Sequence, residues 1–185
     1  MEAAEKRLIV ITGPFGAGIR DIVAEIFAKR SDVTTVLPVT ARKMKAGEQD
    51  GVWFYFFDLE GWNAMKESGD LLEATELAGN DYGTSRRLVM EALAGGTHVL
   101  LTVEPERASQ VKRNMPEAFC VYVEPGDPET LRTRYYETSR SSFELTARLE
   151  LAKEQRTLSA CCDAQIDSTD LAAAAEELNQ LIDRL

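Results

Sequence analysis

Leu8–Thr12 is a continuous apolar run that stops at a glycine-rich turn, Gly13-Pro14-Phe15-Gly16-Ala17-Gly18, and passes directly into helical spacing. A strand of Leu, Ile and Val without alternation is one buried on both faces. The residues after the turn, Ile22, Val23, Ile26 and Phe27, recur as one face of an amphipathic helix over 21–30. A doubly buried strand followed at once by a helix predicts a parallel sheet, because parallel neighbours need a crossover and the helix supplies it.

The same alternation runs to the end of the chain. Residues 34–40 and 52–57 read as strands, the aromatics of the second as core. Asp58 is placed to cap a short helix carrying Trp62 and Met65 that stops at Gly69. Residues 71–77 read as a strand, 79–83 as a turn, and Thr84 or Ser85 as the cap of a helix ending at Gly95-Gly96. Residues 99–103 and 119–123 are further buried strands, with a helix opening near Pro105 between them. Asp127-Pro128 opens another helix, and Ser141-Ser142-Phe143-Glu144 fits a capping box for one running to about Thr157. A short strand at 164–166 leads into a final helix over 171–185. No repeat, low-complexity tract or linker interrupts this order, so one domain over 1–185 is expected.

Composition removes several classes of function. With 185 residues, 44% of them hydrophobic, the chain can bury one substantial core. No apolar run approaches the eighteen residues of a membrane span, and residues 1–7 lack the apolar centre of a signal peptide, so a cytoplasmic protein is expected. The net charge of −10 repels nucleic acid, and any phosphate site must be assembled locally from cations and backbone N–H groups. Cys120, Cys161 and Cys162 show neither a disulfide framework nor zinc-ligand spacing; reduced, packed thiols and no metal site are expected. His98, entering an apolar run, reads as a strand-entry residue rather than a base.

The turn itself carries chemistry. Gly13 and Gly18 have the spacing of G-x-x-x-x-G-K-[ST], and Gly16 lies between them. Such glycines let successive N–H groups curl toward phosphate at a helix N-terminus. Yet Ile19 stands where the motif has lysine, and Arg20 where it has the hydroxyl that holds magnesium. Losing one preorganised donor to a transferring phosphoryl group costs about 10²–10³ in rate, or ~3–4 kcal/mol. Arg20 could substitute only by reaching round the helix, since one residue rotates a side chain by about 100°. On local residues alone, a plain strand–helix turn is the other reading.

Downstream, Thr40-Ala41-Arg42, then Lys45-Ala46-Gly47-Glu48-Gln49-Asp50-Gly51, then an aromatic strand resembles the guanylate kinase segment T-T-R-x-x-R-x-G-E-x-x-G-x-x-Y. Leu72-Glu73 and Gly79-Asn80-Asp81-Tyr82-Gly83-Thr84 resemble that family's F-x-E and G-N-x-Y-G-[ST]. The resemblance covers nearly the whole chain. It implies an α/β fold: a P-loop NTPase-like parallel sheet flanked by helices, with a small GMP-binding subdomain near 38–95 and a helical lid near 134–147. It also implies that Arg42, Lys45 and Tyr82 contact the monophosphate, that Glu73 and Thr84 read the guanine, and that Glu104 keeps one acid of the family's D-x-D. Arg134 and Arg148 match lid arginines, and with Arg20 they are the candidate catalytic cations.

The departures cluster at the transfer centre. Beyond Ile19 and Arg20, Phe54 replaces a tyrosine, Pro38 a serine and Thr102 an acid, and the lid lacks its R-G pair. ATP and Mg2+, the cofactors the resemblance implies, are therefore poorly served, whereas a guanine nucleotide remains the expected partner. Three readings stay open: a guanylate-kinase-like nucleotide-binding protein with transfer weak or lost, an active kinase converting ATP and GMP to ADP and GDP, and a module whose old pocket captures an acidic or phosphorylated peptide of a protein partner. The oligomeric state is not legible.

Overall fold

The computed structural model describes residues 6–138 and 141–185. Five parallel strands form the main sheet: β1 (Leu8–Thr12), β2 (Val33–Thr34), β7 (His98–Thr102), β8 (Phe119–Glu124) and β9 (Ala164–Asp167), in the order β2-β7-β1-β8-β9. β1 sits at its centre, and its residues divide by parity between two faces. Ile9 and Ile11 enter one buried cluster with Ile22 and Ile26 of α1 (Ile19–Lys29) and Leu178 and Ile182 of α7 (Leu171–Asp183). Leu8 and Val10 enter the opposite cluster with Val89 of α3 (Arg86–Ala94) and Val111 of α4 (Pro105–Asn114). This is why β1 shows no polar alternation.

A second, four-stranded sheet has the order β4-β3-β6-β5: β4 (Tyr55–Phe56), β3 (Val39–Thr40), β6 (Asn80–Ser85) and β5 (Leu71–Leu77). Its outer strand β5 is hydrogen-bonded on its open side by α4. Asn114 Nδ2 donates to the Leu72 carbonyl at 2.9 Å, and Gln110 Oε1 accepts from the Ala74 N–H at 3.0 Å. With Arg107, these residues form a polar stripe on one face of the helix. α4 thus occupies the edge a further strand would take.

Several expectations are corrected here. Residues 34–40 are not one strand but two two-residue strands, β2 and β3, each pairing in a different sheet. Of 52–57 only Tyr55–Phe56 is strand, and the aromatics are not core: Trp53 is 68% exposed, because the segment is a loop at the rim of the small sheet. The turn expected at 79–83 is confined to Ala78 and Gly79, both with positive φ (51° and 73°). Two such residues make the tight hairpin turn that matches strand twist, so Asn80–Ser85 continues as β6. The caps fall where expected: Asp58 on α2 (Leu59–Glu67), Ser85 on α3 and Ser141 on α6 (Ser142–Arg156). His98 opens β7 with its Nδ1 accepting from the Arg7 N–H. α5 (Pro128–Thr138) and α6 carry the expected lid region, of which Ser139 and Arg140 lie outside the described residues. Among the described residues no helix is long and apolar enough to cross a membrane.

Candidate functional site

The C-terminal ends of β1, β7 and β8 lie side by side, as the register Ile11↔Thr102 and Thr12↔Tyr122 requires. Ligands of open parallel sheets bind outside such ends. Three sequence features meet there: the glycine loop after β1, Glu104 after β7, and the turn after β8.

The loop needs its glycines for two different reasons. A Cβ at Gly13 would lie 2.5 Å from the Val123 carbonyl oxygen, so the close approach of two backbones excludes it. Gly16 and Gly18 have φ of 85° and 80°, the left-handed region. The Ala17 N–H between them donates to the Pro14 carbonyl at 3.1 Å, and two of the loop's carbonyls are held by side chains from α5. Tyr135 Oη donates to the Phe15 carbonyl, Arg134 Nη1 donates to the Gly16 carbonyl at 3.0 Å, and Arg134 Nη2 donates to the Ser168 carbonyl at 2.7 Å. Arg148 lies over the Phe15 ring, 5.0 Å from its centroid, and donates to Glu144 at 2.6 Å. Arg134 therefore braces the loop from its carbonyl side, and Arg148 packs on its Phe15 ring. Arg20 is exposed in the first turn of α1. Gly16→Ala is expected to cost at least ~2 kcal/mol, combining a left-handed penalty of about 1–2 kcal/mol with a Cβ 2.6 Å from the buried Tyr135 ring. Urea unfolding of the variant checks this, and a loss below 0.5 kcal/mol, the size of an ordinary surface change, would refute it.

The loop's fit to the implied cofactors is mixed. Left-handed glycines at a helix N-terminus suit a phosphate. They do not supply the ammonium group, because Ile19 is apolar, with its Cδ1 3.4 Å from the Cβ position of Gly13. Arg20, a cation, does not fit magnesium.

The small sheet assembles the other candidates by register. Glu73 pairs with Thr84 and Thr75 with Tyr82 across β5 and β6, so the four share one face. Thr40 pairs with Tyr82 across β3 and β6, which sets Arg42, two residues on, beside the Tyr82 hydroxyl. A cleft of about 780 Å³ opens on this face, lined by Pro38, Phe54, Tyr82, Thr84, Glu104 and Arg107 among others.

Glu73 is 1% exposed and fully partnered. Thr84 Oγ1 donates to its Oε1 at 2.6 Å, Arg107 Nη2 to the same oxygen at 2.7 Å, and Arg107 Nε to Oε2 at 2.5 Å. Arg107 Nη1 also donates to Glu104, whose side chain is 64% exposed. Arg107 escaped sequence reasoning. It is one of two arginines in a charged helix, and only its position in the first turn of α4, opposite β5, brings it to Glu73.

Arg42 is likewise engaged. Its guanidinium donates to both Glu48 oxygens at 2.6 Å and to Tyr82 Oη at 3.1 Å, and lies 5.0 and 5.1 Å from the Phe54 and Phe56 ring centroids. Its side chain is 8% exposed. The Arg42 guanidinium holds the Glu48 carboxyl down at about 2. What this contributes to stability is present above the ordinary carboxylate pKa and lost as pH falls toward 2. Lys45 is exposed, and its backbone N–H donates to Glu48 at 2.7 Å.

Comparison with known proteins converges on one family. Residues 5–185 match the sequence model described as guanylate kinase. The chain is 38% identical to a guanylate kinase of Thermobifida fusca, over 96% of this chain and 91% of that one. It is 36% identical to a guanylate kinase of Synechococcus sp. strain CC9311, over 94% and 92%. A crystal structure of guanylate kinase from Anaplasma phagocytophilum superposes with a TM-score of 0.67, covering 98% of this chain and 86% of that one at 21% identity, a likeness of fold.

Proposed function

This chain belongs to the guanylate kinase family, and from that premise we propose that it binds a guanosine monophosphate in the cleft of the small sheet, with transfer onto it slowed at the glycine loop. The observation that carries the reading is the buried Glu73, aligned with Thr84 at one end of a face that has Tyr82 and Arg42 at the other. A carboxylate matches the N1–H and N2–H₂ edge of guanine, and an arginine with a phenol matches a phosphate.

Arg107 adds a condition. Its guanidinium presents to Glu73 the same pair of parallel N–H donors that a guanine edge presents. Guanine therefore binds by exchanging with Arg107, which lowers affinity by whatever the exchange costs. Calorimetry with GMP, and with AMP as control, tests the assignment. GMP binding at least tenfold tighter than AMP, lost in Glu73→Gln, is expected. Equal binding of the two, or an unchanged Glu73→Gln, would rule it out.

A second reading is favoured by the relatives, which are named guanylate kinase at 32–38% identity over 94–96% of this chain. In it the chain transfers a phosphoryl group from ATP to GMP, with cations other than a loop lysine stabilising the charge. A coupled assay separates the two. Turnover within the 1–100 s⁻¹ common to kinases selects the second reading, and turnover below about a hundredth of that range selects the first.

A further inference from the structure

Outside the cleft, the fold gathers all three cysteines. Cys120 lies near the start of β8, Cys161 ends the 3₁₀ turn Thr157–Cys161 that precedes β9, and Cys162 follows it. Their three sulfur atoms lie within 4.8 Å of one another. Cysteine spacing predicted packed, unconnected thiols; all three are free, but they converge because β8 and β9 are parallel neighbours.

The surrounding backbone holds this convergence in place. Cys120 and Asp163 exchange two hydrogen bonds: the Cys120 N–H donates to Asp163 Oδ2 and the Asp163 N–H donates to the Cys120 carbonyl, each at 2.8 Å. Lys112 of α4 donates to the same Asp163 carboxylate at 2.9 Å. Ser109 Oγ, one turn earlier on α4, lies 3.4 Å from Cys161 Sγ. Cys120 is completely buried and the other two are half-buried. The sulfurs thus sit at the edge of the apolar core, Cys120 within it and Cys162 packed against it, partly exposed.

We propose that Cys120, Cys161 and Cys162 form a three-sulfur site for a soft thiophilic cation, monovalent copper being the ion it fits. Soft thiolates select such ions. With metal–sulfur bonds near 2.3 Å, three sulfurs in a plane round one ion stand roughly 4.0 Å apart, so the cluster needs to contract by less than an ångström. Structural zinc takes four ligands, and no His, Asp or Glu joins the three sulfurs among the described residues. Binding is not a redox step: three S–H groups release three protons and three metal–sulfur bonds form around one cuprous ion. A hydrogen bond with the Cys120 sulfur, together with burial, holds the Cys162 thiol well above its usual range. Affinity therefore rises with pH, because the ion displaces protons.

The test uses the whole chain, reduced and kept anaerobic, titrated with Cu(I) against a coloured cuprous chelator. One equivalent per chain withheld from the chelator is expected, falling at least tenfold in affinity in Cys161→Ser/Cys162→Ser. That pair is half-buried, so the variant should keep the fold, which circular dichroism verifies. Cys120→Ala tests the third ligand separately and should weaken binding as much. No copper withheld by the parent chain, or full retention in Cys161→Ser/Cys162→Ser, would overturn the site. Zinc held tighter than copper would overturn the three-coordinate assignment.

Discussion

Arg107→Ala is expected to lower the free energy of unfolding by about 3–5 kcal/mol at neutral pH, the loss seen when one partner of a buried ion pair is removed. The reason lies in what remains. The Glu73 side chain is wholly inaccessible, and without the guanidinium its only described side-chain partner is the Thr84 hydroxyl. A carboxylate with one hydroxyl donor and no counter-charge is far from compensated. The variant also removes one of the three α4 residues that hydrogen-bond the outer strand of the small sheet. Urea unfolding measures the loss. A double replacement, Glu73→Leu with Arg107→Leu, should recover most of it, because an apolar pair carries no desolvation penalty. A loss under 1 kcal/mol in Arg107→Ala would mean that the pair does not hold the two parts together. In that case Arg107 would be free to yield Glu73 to a guanine at little cost.

The second large effect concerns rate. Installing the missing groups, Ile19→Lys with Arg20→Ser, should raise phosphoryl transfer to GMP by about 10²–10³, the factor associated with one preorganised charge stabiliser. The backbone is already in place: Gly16 and Gly18 hold the left-handed conformations, and α1 begins at residue 19 with its first N–H groups directed back at the loop. Of the groups the loop motif itself supplies, the ammonium and the hydroxyl are the ones absent. A coupled assay on parent and variant, with ATP and magnesium in excess, reads the ratio. A parent already turning over at 1–100 s⁻¹ and unimproved by the lysine would show that other cations do this work. It would establish the active-kinase reading that the relatives support. GMP calorimetry on the same two proteins should show little change, because neither substitution lies in the small-sheet cleft.

Most of the fold was legible from residue patterns. Continuous apolar runs marked β1, β7 and β8, and the caps at Asp58, Ser85 and Ser141 marked where three helices begin. The misread strand limits had one cause. Val33–Thr34, Val39–Thr40 and Tyr55–Phe56 are two-residue strands whose existence depends on a partner distant in sequence, so β propensity located the segments but not their limits. The exposed Trp53 shows the same failure, since an aromatic run predicts burial only where something packs against it.

The candidate site divides along similar lines. Local order determined the glycine loop, the isoleucine where its motif has lysine and the membership in a family, because those depend on residues adjacent in the chain. Pairing across sheets decided the rest. Glu73 meets Thr84 by β5–β6 register, Arg107 reaches Glu73 because α4 lies along the edge of β5, and three cysteines up to 42 residues apart meet because β8 and β9 are neighbours. Such contacts depend on which backbone hydrogen bonds form between distant segments, and a burial pattern fixes the face of a strand without naming its neighbour.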